Sequence, residues 1–170
     1  MTAKMSKTGI FLYSEIKSVL LPKKQTFFRD EIIHAAKIAQ AYDFIMAKPD
    51  QFQEKIVEGA TNVSGGQKQR LSIARAIVRK PQIYIYDDSF SALDFKTDAA
   101  LRRALKDEVQ NAIVLIVAQR VSTIMDADKI IVLDEGRIAG IGTHKELLKT
   151  CRIYHEIAAS QLSEEELGNG

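Results

Sequence analysis

The chain has 170 residues, of which 46% are hydrophobic and 27% charged, and a net charge of +2. That length allows one domain or part of one, with a sizeable core, and so balanced a charge gives no sign of a polyanion partner. A single cysteine, Cys151, excludes an internal disulfide and suits a reducing cytoplasm. The apolar run from Ala112 to Ala118 is too short to span a bilayer, and the basic stretch from Met1 to Lys7 lacks a signal-peptide core and cleavage site.

Residues 1–27 carry the weakest pattern, with short apolar pieces at 10–13 and 16–21 interrupted by Pro22. A helix is expected from Asp30 to about Tyr42. Asp30 and Glu31 favour its first turn, and Ile32, Ala35, Ala36, Ile38 and Ala39 form its apolar stripe. A short helix over 43–47 stops before Pro49. Residues 50–63 read as loop with short extended pieces. A helix opens at Ser64 and runs to about Arg79, where Pro81 ends it. Gln82 to Asp87 is a strand, apolar at successive positions, as expected for burial on both faces of a parallel sheet. Asp94 caps a helix carrying Leu101, Leu105 and Val109, and Ala112 to Ala118 is a second wholly apolar strand. Lys129–Leu133 and Arg137–Ile141 flank the turn Asp134-Glu135-Gly136, a hairpin pattern. Thr143-His144-Lys145-Glu146 is a capping box, and a last helix spans 152–162 before an acidic, disordered tail.

Two of these places carry chemistry. Ser64-Gly65-Gly66-Gln67 puts two glycines at the opening of a helix, where N–H groups and the positive end of the dipole suit a phosphate. Ile83 to Asp88 is an apolar strand ending in two carboxylates, hard ligands that suit Mg²⁺. Ser91-Ala92-Leu93-Asp94 and Gln119-Arg120 follow in order. Either of the first two elements alone is weak, because small residues cap many helices. The four together are specific. The sequence contains no G-x-x-x-x-G-K-[ST] phosphate loop. His34, His144 and His155 show no metal-ligand spacing and suit surface or capping roles. Tyr84 and Tyr86 suit the core, and Lys68, Arg70, Arg75, Arg79 and Lys80 suit a solvated helix face with no nucleic-acid role.

From about Asp30 to Leu162 the chain resembles the nucleotide-binding domain of ABC transporters, of the multidrug exporter type. Gly142-Thr143-His144-Lys145-Glu146-Leu147-Leu148 is similar to a run typical of that group. The resemblance implies that two such domains sandwich ATP. Ser64, Gly65, Gly66 and Gln67 would then touch ATP held by a partner domain, and Asp87 would hold Mg²⁺ through water. Ser91, Ala92, Leu93 and Asp94 would form the D-loop. Asp88 stands at the catalytic glutamate position and Gln119 at the switch histidine position. Asp88 is one methylene short, which displaces its carboxylate by about 1 Å and costs on the order of 10²-fold in rate. Gln119 donates a hydrogen bond but carries no charge. Both departures fall in one site, while Ser64–Gln67 is intact, as in the degenerate-site half of a heterodimeric exporter.

The implied fold is α/β, the later half of a P-loop NTPase (RecA-like) parallel-sheet core with an ABC helical subdomain and C-terminal helices. The expected divisions are a remnant of the region after the Q-loop (1–27), a helical subdomain with the signature loop (28–80), a core with Walker B, D-loop and switch loop (81–142), C-terminal helices (143–162) and a tail (163–170). The adenine-stacking aromatic, Walker A and Q-loop glutamine are not identifiable, and 57–60 is a residue short of the family loop that meets the membrane domains. Loss of the Walker A strand implies an exposed apolar edge at 112–118 and marginal solubility. The chain by itself is therefore expected not to hydrolyse ATP. ATP and Mg²⁺ would bind only in complex with a complete partner, the ATP-binding domain of a half-transporter joined to exporter membrane domains. It would lie in the cytoplasm, peripheral on the inner face of the plasma membrane when assembled. The alternatives are an inert product of a truncated transporter gene and, with less support, the C-terminal head lobe of an SMC-like DNA-repair ATPase. The latter would follow a long coiled coil, and residues 1–60 show no heptads.

Overall fold

A computed structural model describes residues 14–15, 29–164 and 167. Most of the expected remnant at 1–27 and part of the tail at 163–170 lie outside them. The described residues belong to two compact units. One takes in the chain up to residue 85 together with 92–115, and the other takes in 86–91 together with everything after 115.

In the first unit, α1 (Arg29–Ile38) packs on α3 (Gly65–Val78). Ile32, Ala35, Ala36 and Ile38 of α1 are buried, as are Leu71, Ile73, Ala74, Ile77 and Val78 of α3. Each fully buried large aliphatic here, such as Leu71 or Ile77, contributes about 1.5–3 kcal/mol of transfer free energy. The helix α1 ends earlier than its apolar pattern suggests. Gln40 sits at φ 55°, in the left-handed region, and breaks the run before α2 (Tyr42–Met46). The strand β1 (Ser14–Glu15) pairs antiparallel with β2 (Lys55–Ile56). The helix α4 (Phe95–Glu108) packs on α1 and buries Leu101 and Leu105, and its Glu108 meets His34 at 2.9 Å.

The strands β3 (Ile83–Asp87) and β4 (Ile113–Val117) lie side by side. Ile113 N–H donates to Gln82 O at 2.9 Å, and Asp88 N–H donates to Val117 O at 3.1 Å, so both strands advance in the same direction. The pair is parallel, as expected, but it is not buried on both faces. Tyr84 and Tyr86 are buried, whereas Ile83 and Ile85 are 56% and 54% exposed. On β4, Ile113, Leu115 and Val117 are likewise at least half exposed. A parallel pair becomes fully buried only when both faces are covered; here β3 alternates between buried and exposed residues, and β4 is largely exposed.

The second unit is built on the hairpin of β5 (Ile130–Asp134) and β6 (Arg137–Gly142), paired from Ile130↔Gly142 to Asp134↔Arg137. Glu135 and Gly136 have φ of 45° and 76°, the two positive values that a tight two-residue hairpin turn requires. The one-turn helix α5 (Val121–Ile124), which the sequence reading passed over, precedes it. The helices α6 (His144–Thr150) and α7 (Arg152–Gln161) close the core of Val121, Ile130, Val132, Leu147, Cys151, Tyr154 and Ala158. Cys151 is thus a buried core thiol. His144, expected in a surface or capping role, is not a surface residue. It is 5% exposed, and its Nδ1 lies 2.8 Å from the Tyr154 hydroxyl.

The architecture is therefore mixed α/β, with a parallel strand pair, a helical segment before it and helices at the C-terminal end.

Candidate functional site

Ser64 is the N-cap of α3, with extended backbone at φ −70° and ψ 166°. Its Oγ accepts from Gln67 N–H at 3.2 Å, and Gln67 Oε1 accepts from Ser64 N–H at 3.0 Å. This reciprocal box fixes the turn using its own side chains. Gly65 and Gly66 occupy the first two helical positions, whose N–H groups have no acceptor within a helix. The turn combines those donors with the positive end of a 14-residue helix dipole.

Gly66 is required by a close approach. A Cβ there would lie 2.9 Å from the carbonyl oxygen of Ala92 and 3.6 Å from Leu93 Cδ2. The opening turn of α3 thus rests on the backbone of the 92–93 segment. Ala92 N–H in turn donates to Gln69 Oε1 at 3.0 Å. Arg70, expected on a solvated face, instead turns inward. Its Nη1 donates to Gln40 O at 2.7 Å, its Nε donates to Gly66 O at 3.4 Å, and the guanidinium lies 4.8 Å from the Phe44 ring centre. Burial lowers its pKa, against the pull of Asp94 and Asp43. Asp94 is the N-cap of α4, accepting from Thr97 N–H at 2.9 Å and Thr97 Oγ1 at 2.7 Å. Those bonds hold its carboxyl below the usual carboxylate range.

In the second unit, Asp87 ends β3 with an exposed side chain, and Asp88 follows at φ 51°. Asp tolerates this left-handed geometry better than most residues. It lets the Asp88 carbonyl accept from Ser91 Oγ at 3.0 Å and Ser91 N–H at 3.5 Å. Ser91 O accepts from Arg120 Nη2 at 3.2 Å. Gln119 follows β4 with its side chain exposed, and its carbonyl accepts from Gln161 Nε2 at 3.0 Å. Gln161 Oε1 completes the clamp by accepting from Val121 N–H at 2.8 Å. Asp88, Ser91, Gln119 and Arg120 are therefore gathered at the carboxyl ends of adjacent parallel strands, where α/β proteins place their ligands.

No cluster of three or more His, Cys, Asp or Glu side chains suited to a metal exists among the described residues. Asp87, exposed at the end of β3, offers a carboxylate of the hard-oxygen type that suits Mg²⁺. That ion keeps much of its water and is commonly held by one or two carboxylates plus substrate phosphates.

Within the first unit the structure brings Ser64–Gln67 against Ala92 and Leu93. Within the second it brings Asp88, Ser91 and the 119–120 pair together. Sequence reasoning missed Gln69 and Arg70. A signal for Gln69 was available, since it lies three residues after Gly66, on the same side of the helix. Arg70 had none, because its partners Gln40 and Phe44 lie far away in sequence.

The sequence model of the ABC transporter family matches residues 6–91. An uncharacterized ABC transporter ATP-binding protein of Mycobacterium tuberculosis is 44% identical over 137 residues, 81% of this chain and 23% of that protein. A second such protein, from Bacillus subtilis, is 41% identical over 157 residues, 92% of this chain and 27% of that one. Among solved structures, that of a bacterial Atm1-family ABC exporter with ATP bound superimposes with a TM-score of 0.87 at 33% identity. It matches 94% of this chain and 28% of that one. The chain belongs to the ABC transporter family, and its fold is that of the nucleotide-binding domain. It spans about a quarter of the length of these relatives. No helix among the described residues is long and apolar enough to cross a membrane.

Proposed function

We propose that this chain is a partial ATP-binding cassette of an ABC exporter and that Ser64, Gly65, Gly66 and Gln67 bind the γ-phosphate of ATP held by a partner domain. The observation that carries this is the self-capped turn of α3. Its box satisfies Ser64 and Gln67 internally and leaves the Gly65 and Gly66 N–H groups without helical acceptors. The solved relative at 33% identity has ATP bound, which supports the same ligand here. Asp87 holds Mg²⁺ through water, and the ion supplies neutralisation of the phosphate charge when bound. Asp88 and Gln119 belong to a second, slow site. Their side chains are exposed beside a strand end, where a shorter carboxylate and a neutral amide orient water and phosphate less effectively than glutamate and histidine. Ser91, Ala92, Leu93 and Asp94 link the two roles as a D-loop. The assembled transporter exports its cargo across the plasma membrane, with this part on the inner face, and the 170 residues by themselves do not turn over ATP.

The test is ATP-dependent association. The chain is mixed with a complete ABC ATPase domain whose own catalytic glutamate is blocked, with and without Mg-ATP, and sedimentation reports the complex. A complex that forms only with Mg-ATP and is abolished by Gly65→Asp supports the proposal. Association that ignores ATP, or that tolerates Gly65→Asp, refutes it. In the whole transporter, Asp88→Glu with Gln119→His is expected to raise turnover about 10²-fold at that site. An unchanged rate would remove the slow-site assignment.

A further inference from the structure

The opening turn of α3 has a neighbour that the sequence pattern does not announce. Residues 92–93 touch it in two ways. Gly66 allows the Ala92 carbonyl to come within 2.9 Å of where a Cβ would stand, and Gln69 Oε1 accepts the Ala92 N–H at 3.0 Å. The second bond ties side chain to backbone across 23 residues of sequence. It uses the one donor that the Ala92 peptide offers, next to the capping residue Asp94 of the following helix. Leu93, immediately after, is buried. The opposite side of the same turn is held by Arg70, through Gly66 O, Gln40 O and the Phe44 ring. Two consecutive side chains therefore hold one helix opening, Arg70 to the α1–α2 turn and Gln69 to the 92–93 backbone.

We propose that Gln69 is a positioning residue that makes the Ser64–Gln67 turn and the 92–93 segment move as one body. It does not touch the nucleotide. It sets the placement of the two glycine N–H groups by fixing what lies beneath them. This rests on the assignment of Ser64–Gln67 as the phosphate-binding turn, but the tie itself is independent of ATP.

The experiment compares three variants of the full chain by amide hydrogen exchange read at individual residues. Gln69→Leu removes the acceptor at similar volume. Gln69→Glu keeps an acceptor oxygen. Gly66→Ala keeps Gln69 and forces the Ala92 carbonyl away. Expected is severalfold faster exchange at both Ala92 and Gln67 in Gln69→Leu and Gly66→Ala, with wild-type rates restored in Gln69→Glu. Acceleration at Ala92 with Gln67 unchanged would reduce Gln69 to a local bond and overturn the proposal. So would unchanged rates at both, or equal acceleration in the Leu and Glu variants. The same variants are then mixed with the Mg-ATP-loaded ABC domain described above. If wild type joins, Gln69→Leu is expected to join at least tenfold more weakly and Gln69→Glu at near wild-type strength. Equal joining by Gln69→Leu also overturns the proposal. If wild type itself fails to join, the nucleotide assignment falls, and the exchange result still decides the tie.

Discussion

The two capping boxes of this molecule share a design and differ in what they carry. Ser64 and Gln67 open α3, and Thr143 and Glu146 open α6, each pair exchanging side-chain and backbone bonds. Behind Thr143 stand His144 and Leu147, both buried, so that box anchors a core. Behind Ser64 stand Gly65, which is exposed, and Gly66, whose missing side chain admits the Ala92 carbonyl. The third helical position differs too. Glu146 adds a negative charge to a helix N-terminus, which is stabilising there. Gln67 makes the same bond without charge, and so does not neutralise the positive end of the dipole. One box anchors a core, and the other opens the turn proposed to bind phosphate.

The largest expected effects test the structural box. Leu147→Ala empties a site that is 1% exposed and is expected to cost about 2–5 kcal/mol, read as a lower urea midpoint. Tyr154→Phe deprives buried His144 Nδ1 of its partner at 2.8 Å while keeping the ring, and should cost about 1–3 kcal/mol. A variant as stable as wild type would mean that this pair is not needed to hold α6 to α7.

Gln67→Glu sharpens the contrast from the other side. The substitution preserves the box geometry and should leave the unfolding midpoint unchanged or slightly raised. It places a negative charge where a phosphate is proposed, and ATP-dependent joining should weaken by at least about tenfold, or 1.4 kcal/mol. Undiminished joining would show that the neutral amide was not chosen for an anion. Ser64→Ala and Thr143→Ala then form a matched pair. Each is expected to lose about 1 kcal/mol of stability, but only Ser64→Ala should weaken joining. If both weaken it alike, the effect is one of folding and the two boxes are not functionally distinct.

The parts of this fold legible in the sequence are those whose causes lie within a few residues. The helix opening at Ser64, the Thr143–Glu146 box, Asp94 before α4 and the Glu135-Gly136 turn all rest on local backbone groups, and the structure shows each as expected. The misses have distant causes. Arg70 resembles its solvated neighbours until Gln40 O and the Phe44 ring are brought to it. His144 becomes buried because Tyr154, on the next helix, receives it. The helix α1 stops at Ile38 although Ala39 continues its stripe, because Gln40 adopts the left-handed geometry whose carbonyl Arg70 takes. The strand β3 reads as buried on both faces because its composition is apolar throughout. Whether Ile83 and Ile85 are covered depends on what packs there, which no periodicity encodes. For the site the same division holds. The turn and the two carboxylates are visible in sequence, whereas the bond from Gln69 to Ala92 appears only when the chain is folded.

The smallest effect separates the boxes by charge alone. The backbone and side chain of Thr143 bond Glu146 and hold its carboxyl below the usual range, although that carboxylate is exposed. A carboxyl whose folded pKa lies below its unfolded value contributes stability at higher pH. That contribution is lost as pH falls through the folded value. Acid should therefore loosen the Thr143 box first at its side-chain bond, where Thr143 N–H donates to Glu146 Oε2 at 2.8 Å. The equivalent bond from Ser64 N–H ends on the Gln67 amide, which does not titrate in this range. Two amide resonances report the difference. The Thr143 signal is expected to move with a midpoint below the ordinary glutamate range, and the Ser64 signal to stay still. Glu146→Gln should hold the Thr143 signal still as well. If Ser64 moves with the same midpoint as Thr143, the transition is a general acid loosening of the chain, and the charge difference between the boxes has no local consequence.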